Sequence, residues 1–276
     1  MRQHILLPTD FSDNAWSAAV YALKLYEHTE CTFYFLHASK MKVSALSNMS
    51  NKLVRAIAEN AKKDLLELKE MAIHANANAN HKFEIILSNN DLQDAINATI
   101  QKHPIDCIVM GTKGATKALE IIFGSHTSTI IKKVKHCPIL VVPDEFDFVT
   151  PEQIAFPTDF NRFYGEELLP LKHLANLYNS TIRVVHINEE DDISEAQDYN
   201  IDQLREALED YPHSFHWMPD YGKKEDAINS FIEEQGINIL VMINYKHSFI
   251  ERIVNEPVIK KIGFQPTIPF LVIPSK

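Results

Sequence analysis

The chain is written twice. ILLPTDF at 5–11 returns as IAFPTDF at 154–160, and FLHA at 35–38 returns as VVHI at 184–187, both at an offset of 149 residues. DAINATI at 94–100 returns as DAINSFI at 226–232 at an offset of 132, and ILVVP at 139–143 returns as FLVIP at 270–274 at an offset of 131. The order of the matches is kept throughout, and the drop in offset places the shortening between about 38 and 94 of the first copy. A sequence repeated in this way folds as two copies of one domain, and 276 residues suit two domains of medium size. The expected domains are 1–146 and 150–276, joined through DEFDFVTPEQ at 144–153.

Within each copy, short apolar runs alternate with longer stretches of helical spacing, which predicts βαβ units on a parallel sheet. In the first copy strands are expected near 4–8, 32–38, 82–88, 106–110 and 138–142, and helices near 12–29, 48–74, 90–102 and 125–136. The second copy gives strands near 154–158, 181–187, 214–218, 238–243 and 268–273. IVM and ILVV are apolar without alternation, as strands covered on both faces are. Ser12, and Asn90 with Asp91, stand where helix caps belong. Right-handed crossovers then make each copy a doubly wound α/β domain. HANANANH at 74–81 reads as a mobile polar loop.

Charge separates the copies. The chain holds 27 Lys and Arg against 37 Asp and Glu, a net −10, and the whole excess lies in 151–276. There is no basic footprint for a nucleic-acid backbone, so that partner class is excluded, and a polyphosphate meets less repulsion in the first copy. No stretch approaches the 18 consecutive apolar residues of a membrane span, so no membrane partner is expected. The first strand-like run starts at His4, so no signal peptide is expected. Cys31, Cys107 and Cys137 lie in or beside apolar runs and form no C-x-x-C pair, which reads as buried, reduced thiols. A cytoplasmic protein is expected.

Glycine is scarce, with seven in the chain, and the three in the first copy are confined to MGTKGATKALEIIFGS: Gly111, Gly114 and Gly124. Glycine lets backbone N–H groups approach a phosphate closely. A helix opening at Ser125 adds unpaired N–H donors and a favourable dipole, and the Ser125 hydroxyl is expected at the cap position. Together these features predict an anion cradle, and with it a nucleotide site.

PTDFS at 8–12, LHA at 36–38, MGTKG at 110–114, GS at 124–125 and CPILVVP at 137–143 resemble the universal stress protein family in its tandem form. The likeness runs through both copies, and the spacing G-x2-G-x9-G-S/T is that of the family's ATP-binding members. It implies, for each copy, a five-stranded parallel sheet of order 3-2-1-4-5, the adenine nucleotide alpha hydrolase-like fold. A crevice then opens at the switch point between strands 1 and 4. The resemblance also implies roles. Asp10 would bond the ribose or the adenine edge, Pro8 and Thr9 would shape the pocket, and Ala38 would meet adenine through its backbone. Met110 would pack on the base, and Gly111, Gly114, Gly124 and Ser125 would hold the phosphates with His126 and Thr127 beside them. Lys113 and Lys117 are available to screen phosphate charge. The implied cofactors are ATP and Mg²⁺ held through the phosphates. The implied assembly is pairing of the two copies through their last strands, then a homodimer.

The second copy departs from the pattern. With Met242 set on Met110, Ile243 takes the place of Gly111, Lys246 that of Gly114, and Asn255 or Glu256 that of Gly124, while Asp159 keeps the place of Asp10. One nucleotide per chain is therefore expected. The strings G-x4-G-K-S/T, G-x-G-x-x-G and G-x-S-x-G of other nucleotide and hydrolase sites do not occur. No general base accompanies the glycines, so at most slow ATP hydrolysis is expected. His213 and His216 fall on opposite faces of a strand, against a metal pair. EEDD at 189–192 reads as a solvated loop, and His37 and His186 as a shared structural pair. Two functions remain: an ATP-binding regulatory protein of the stress response, or a stress scaffold that binds a protein partner and no nucleotide.

Overall fold

The apolar runs of each copy pair edge to edge, and among the described residues the pairings within each unit are parallel. The computed structural model describes residues 2–40, 51–76, 78–112, 124–188, 193–219, 224–245 and 267–275, and it divides into two units, Met1–Asp147 and Phe148–Lys276. The first runs β1 (Gln3–Pro8), α1 (Asp13–Leu25), β2 (Cys31–Ala38), α2 (Asn51–Ala75), β3 (Lys82–Ser88), α3 (Leu92–Lys102), β4 (Cys107–Gly111), α4 (Ser125–Lys133) and β5 (Ile139–Val142). The second runs β6 (Gln153–Pro157), α5 (Leu169–Tyr178), β7 (Thr181–Asn188), α6 (Glu195–Ala207), β8 (His213–Pro219), α7 (Lys224–Glu234), β9 (Ile239–Asn244) and β10 (Phe270–Pro274). Counted within each unit, the strand order is 3-2-1-4-5. Each unit is the doubly wound α/β domain that the sequence predicts.

Burial explains the strands. Ile5, Leu6 and Leu7 of β1, Ile108, Val109 and Met110 of β4, and all of β5 are buried, as a sheet covered on both faces requires. Each such side chain contributes roughly 1.5–3 kcal/mol. Strand register relates the copies residue by residue. Val141 pairs with Met110 in the first unit, and Val272 with Met242 in the second. Ile243, which is buried, therefore holds the place of Gly111.

Helix starts fix the rims of the sheet. The Ser12 hydroxyl caps α1 by accepting from Ala15 N–H at 3.3 Å, and Asp91 caps α3 by accepting from Asp94 N–H at 3.0 Å. At α4 the cap is Gly124, and Ser125 is the first helical residue, not the cap expected of it. The reason is a backbone bond from Gly124 N–H to Thr112 O at 2.7 Å, which fastens the helix start to the end of β4. Glycine is also tolerated as a cap.

The polar stretch at 74–81 is not the loose loop its composition suggests. The Asn78 carboxamide donates to Glu27 O at 2.8 Å, and buried His81 bonds Asn76 Oδ1 at 2.5 Å and Thr29 O at 2.9 Å. All three cysteines are buried and unpaired with one another, and burial pushes the Cys31 and Cys107 thiols up to about 12. No helix among the described residues is long and apolar enough to cross a membrane.

Candidate functional site

In the first unit β1 continues toward β2 and β4 continues toward β5, so their connections diverge and a crevice opens at their C-terminal ends. The turn leaving β1 is tightly specified. Thr9 N–H donates to Leu36 O at 2.8 Å, Phe11 N–H to Thr9 Oγ1 at 3.0 Å, and His37 Nδ1 to the Thr9 carbonyl at 2.9 Å. The Phe11 ring lies on His37 with centroids 4.5 Å apart. These contacts hold Phe11 at φ 62°, a left-handed conformation that costs a non-glycine residue about 1–2 kcal/mol. The turn sets Asp10 at the crevice, where Oδ1 accepts from the Ser12 N–H at 3.2 Å and hydroxyl at 2.6 Å.

The opposite wall comes from β4 and α4. The buried Thr127 hydroxyl donates to Gly111 O at 3.0 Å and ties the first turn of α4 to the strand. That turn carries no acidic residue, so its N–H groups and dipole favour an anion.

The cleft between these walls has a cavity volume of about 120 Å³, on the order of ten times the space one water needs. Its lining runs from Leu92 and Ala38, beside β3 and β2, through Pro8, Thr9 and Asp10, to Met110, Gly111, His126 and Thr127. The structure thus brings together the candidates Pro8, Thr9, Asp10, Ala38, Met110, Gly111, His126 and Thr127. Gly124 and Ser125 open α4 immediately before His126. Gly114, Lys113 and Lys117 lie outside the described residues, as do Lys246, Asn255, Glu256 and the acidic run 189–192.

Two lining residues escaped the sequence reading, Ala15 and Leu92. Both belong to the first turn of a helix whose cap was recognised. Reading those helix starts as crevice walls in a 3-2-1-4-5 sheet would have found them. The chain leaving β2 is tied to the connection that precedes Leu92: Ser39 N–H donates to Ser88 O at 2.9 Å, and Lys40 Nζ meets Asp91 Oδ2 at 3.0 Å. The Asp94 N–H first, and the Lys40 ammonium second, hold the Asp91 carboxyl below the usual range.

Residues 1–143 match the model of the universal stress protein family. A universal stress protein of Synechocystis sp. is 24% identical over 291 aligned positions, which cover 98% of this chain and 99% of that protein. Another, from Methanocaldococcus jannaschii, is 29% identical over 142 positions, 50% of this chain and 80% of its own length. The crystal structure of a universal stress protein from Archaeoglobus fulgidus matches with a TM-score of 0.72 at 18% identity, covering 98% of this chain and 95% of that one. That last likeness is one of fold.

Proposed function

This chain belongs to the universal stress protein family, and from that premise we propose that its first unit binds one adenine nucleotide, as ATP with Mg²⁺, and acts as a nucleotide-dependent regulatory protein. The observation that carries the reading is the gradient of polarity along the cleft. Apolar Leu92 and Ala38 on the β3–β2 side give way to the Asp10 carboxylate after β1, and then to Met110, Gly111 and the N-terminus of α4 on the β4 side. A nucleotide has the same gradient, from heterocycle through hydroxylated sugar to anionic tail.

Each part has a chemical fit. The apolar residues suit the faces of a purine, and a few convergent polar groups orient it. A carboxylate accepts from a ribose hydroxyl. The backbone N–H groups opening α4 suit phosphate oxygens. Mg²⁺ would take its ligands from phosphate oxygens and water, its usual manner beside a polyphosphate. Among the described residues no group of three or more His, Cys, Asp or Glu side chains is placed to hold a metal ion. In this reading the protein works in the cytoplasm as a homodimer whose choice of protein partner follows nucleotide occupancy.

Thermal unfolding of the full chain tests the reading. Mg-ATP at 100 times its Kd adds about 2.7 kcal/mol of stability, so the transition should rise for the native chain and not for Gly114→Val. The absence of any rise with ATP, ADP or AMP would favour the partner-binding scaffold instead.

A further inference from the structure

The second unit keeps the turn of the first and covers the carboxylate that the turn presents. Thr158 N–H donates to Val185 O at 2.9 Å, Phe160 N–H to Thr158 Oγ1 at 3.0 Å, and His186 Nδ1 to the Thr158 carbonyl at 2.8 Å. Phe160, at φ 55°, lies on His186 with centroids 4.9 Å apart. Contact for contact this is the turn built by Thr9, Phe11 and His37, so Asp159 stands where Asp10 stands.

Its surroundings differ. Tyr245 follows directly on β9 and brings its hydroxyl to 3.1 Å from both Oδ1 and Oδ2 of Asp159. The Arg162 guanidinium lies over the Tyr245 ring at 4.9 Å and the Tyr164 ring at 5.7 Å. One of its nitrogens donates to both oxygens of buried Glu167, at 2.6 and 2.9 Å. Tyr164, also buried, pairs its hydroxyl with Thr158 Oγ1 at 2.8 Å.

The local sequence explains how these side chains reach the turn. In the first unit α1 begins at Asp13, directly after the Ser12 cap. The matching stretch here, Arg162–Gly165, is not helical. A 3-10 turn follows at Glu166–Leu168, and α5 starts only at Leu169 with Pro170 in its first turn. The delay frees Arg162 and Tyr164 from a helix and lets them brace the Tyr245 ring. Burial first, then Tyr164 and Asp159, push the Tyr245 phenol up, so its proton stays available to the carboxylate.

The geometry points to a self-occupied site: in the second unit the Tyr245 phenol takes the carboxylate that the first unit offers to a ligand hydroxyl, and it keeps nucleosides and nucleotides out. This rests on the reading of Asp10 as a nucleotide contact. With Ile243 filling the place of Gly111, an opened second crevice would accept adenosine and gain nothing from its phosphates.

Calorimetry of the full chain with adenosine and with Mg-ATP tests this. The native chain should bind one molecule of either, and Asp10→Ala should bind both more weakly than the native chain. Adding Tyr245→Ala to Asp10→Ala should restore one adenosine site per chain, at least about tenfold tighter than in Asp10→Ala, a gain of about 1.4 kcal/mol, with Mg-ATP no tighter than adenosine. If the double variant does not fold, the native stoichiometry decides, one supporting the sealed site and two overturning it. A folded double variant that gains no adenosine site, in a protein whose native chain binds one, overturns the sealing alone. A native chain that binds neither ligand overturns the reading of the first unit and this inference with it.

Discussion

Gly111 and Asn14 stand so close that a β-carbon on Gly111 would lie 1.8 Å from the Asn14 carboxamide oxygen and 3.0 Å from its backbone carbonyl. Asn14 is buried in the first turn of α1 and donates Nδ2 to Asp144 Oδ1 at 2.9 Å, which fixes its position. The glycine expected to serve a phosphate therefore has a prior duty, letting α1 close onto the end of β4. The second unit carries no such demand. Its helix starts later, and Ile243 fills the same place in its sheet.

Gly111→Ala should overpack this contact and cost about 1–3 kcal/mol, while Ile243→Ala should open a cavity and cost about 2–5 kcal/mol. Chemical denaturation reads both. An unchanged midpoint for Gly111→Ala would mean that Asn14 leaves its bond to Asp144 and swings aside. The variant should also bind ATP more weakly, because Gly111 and Ala15 both line the cleft.

The two histidine-braced turns offer a matched pair of variants. His37→Ala and His186→Ala each remove the donor to a threonine carbonyl and the ring beneath a left-handed phenylalanine. Each should destabilise its unit by about 1–3 kcal/mol. Only His37→Ala should also weaken ATP binding. Equal loss of affinity in both would show that the second turn serves a nucleotide too.

Most of this architecture was legible in the sequence, for a physical reason. Strands covered on both faces must be apolar throughout, so ILVV and IVM announce themselves without structural help. The PTDF turn could be recognised in both copies because Thr9, Phe11 and His37 form a closed set of contacts that the second copy repeats. What the sequence hid was contact between distant parts. Tyr245 reaches Asp159 across 86 residues from the position that Lys113 holds in the first copy, and nothing local to either residue signals it. Leu92 joins the cleft only because β3 is laid beside β2. Asparagines at 76 and 78 look like loop composition until their carboxamides are seen bonding the chain.

The cysteines give a prediction in pH. Burial raises Cys31 and Cys107 from 9.0 to about 12 in the folded chain. Folding therefore favours the neutral thiols, and their contribution is complete below about pH 9 and lost as pH rises toward 12. Alkylation of the native chain near pH 8 should be slow and limited by unfolding. Rapid native alkylation would contradict the burial of these thiols.

Hydrogen exchange on the full chain, with and without saturating Mg-ATP, tests the central claim most directly. The account predicts new protection at Thr9–Asp10, Ala38, Met110–Gly111 and the first turn of α4, with no change at Thr158–Asp159 or Met242–Tyr245. Protection spread equally over both sets, or confined to the second, would contradict a single nucleotide site in the first unit.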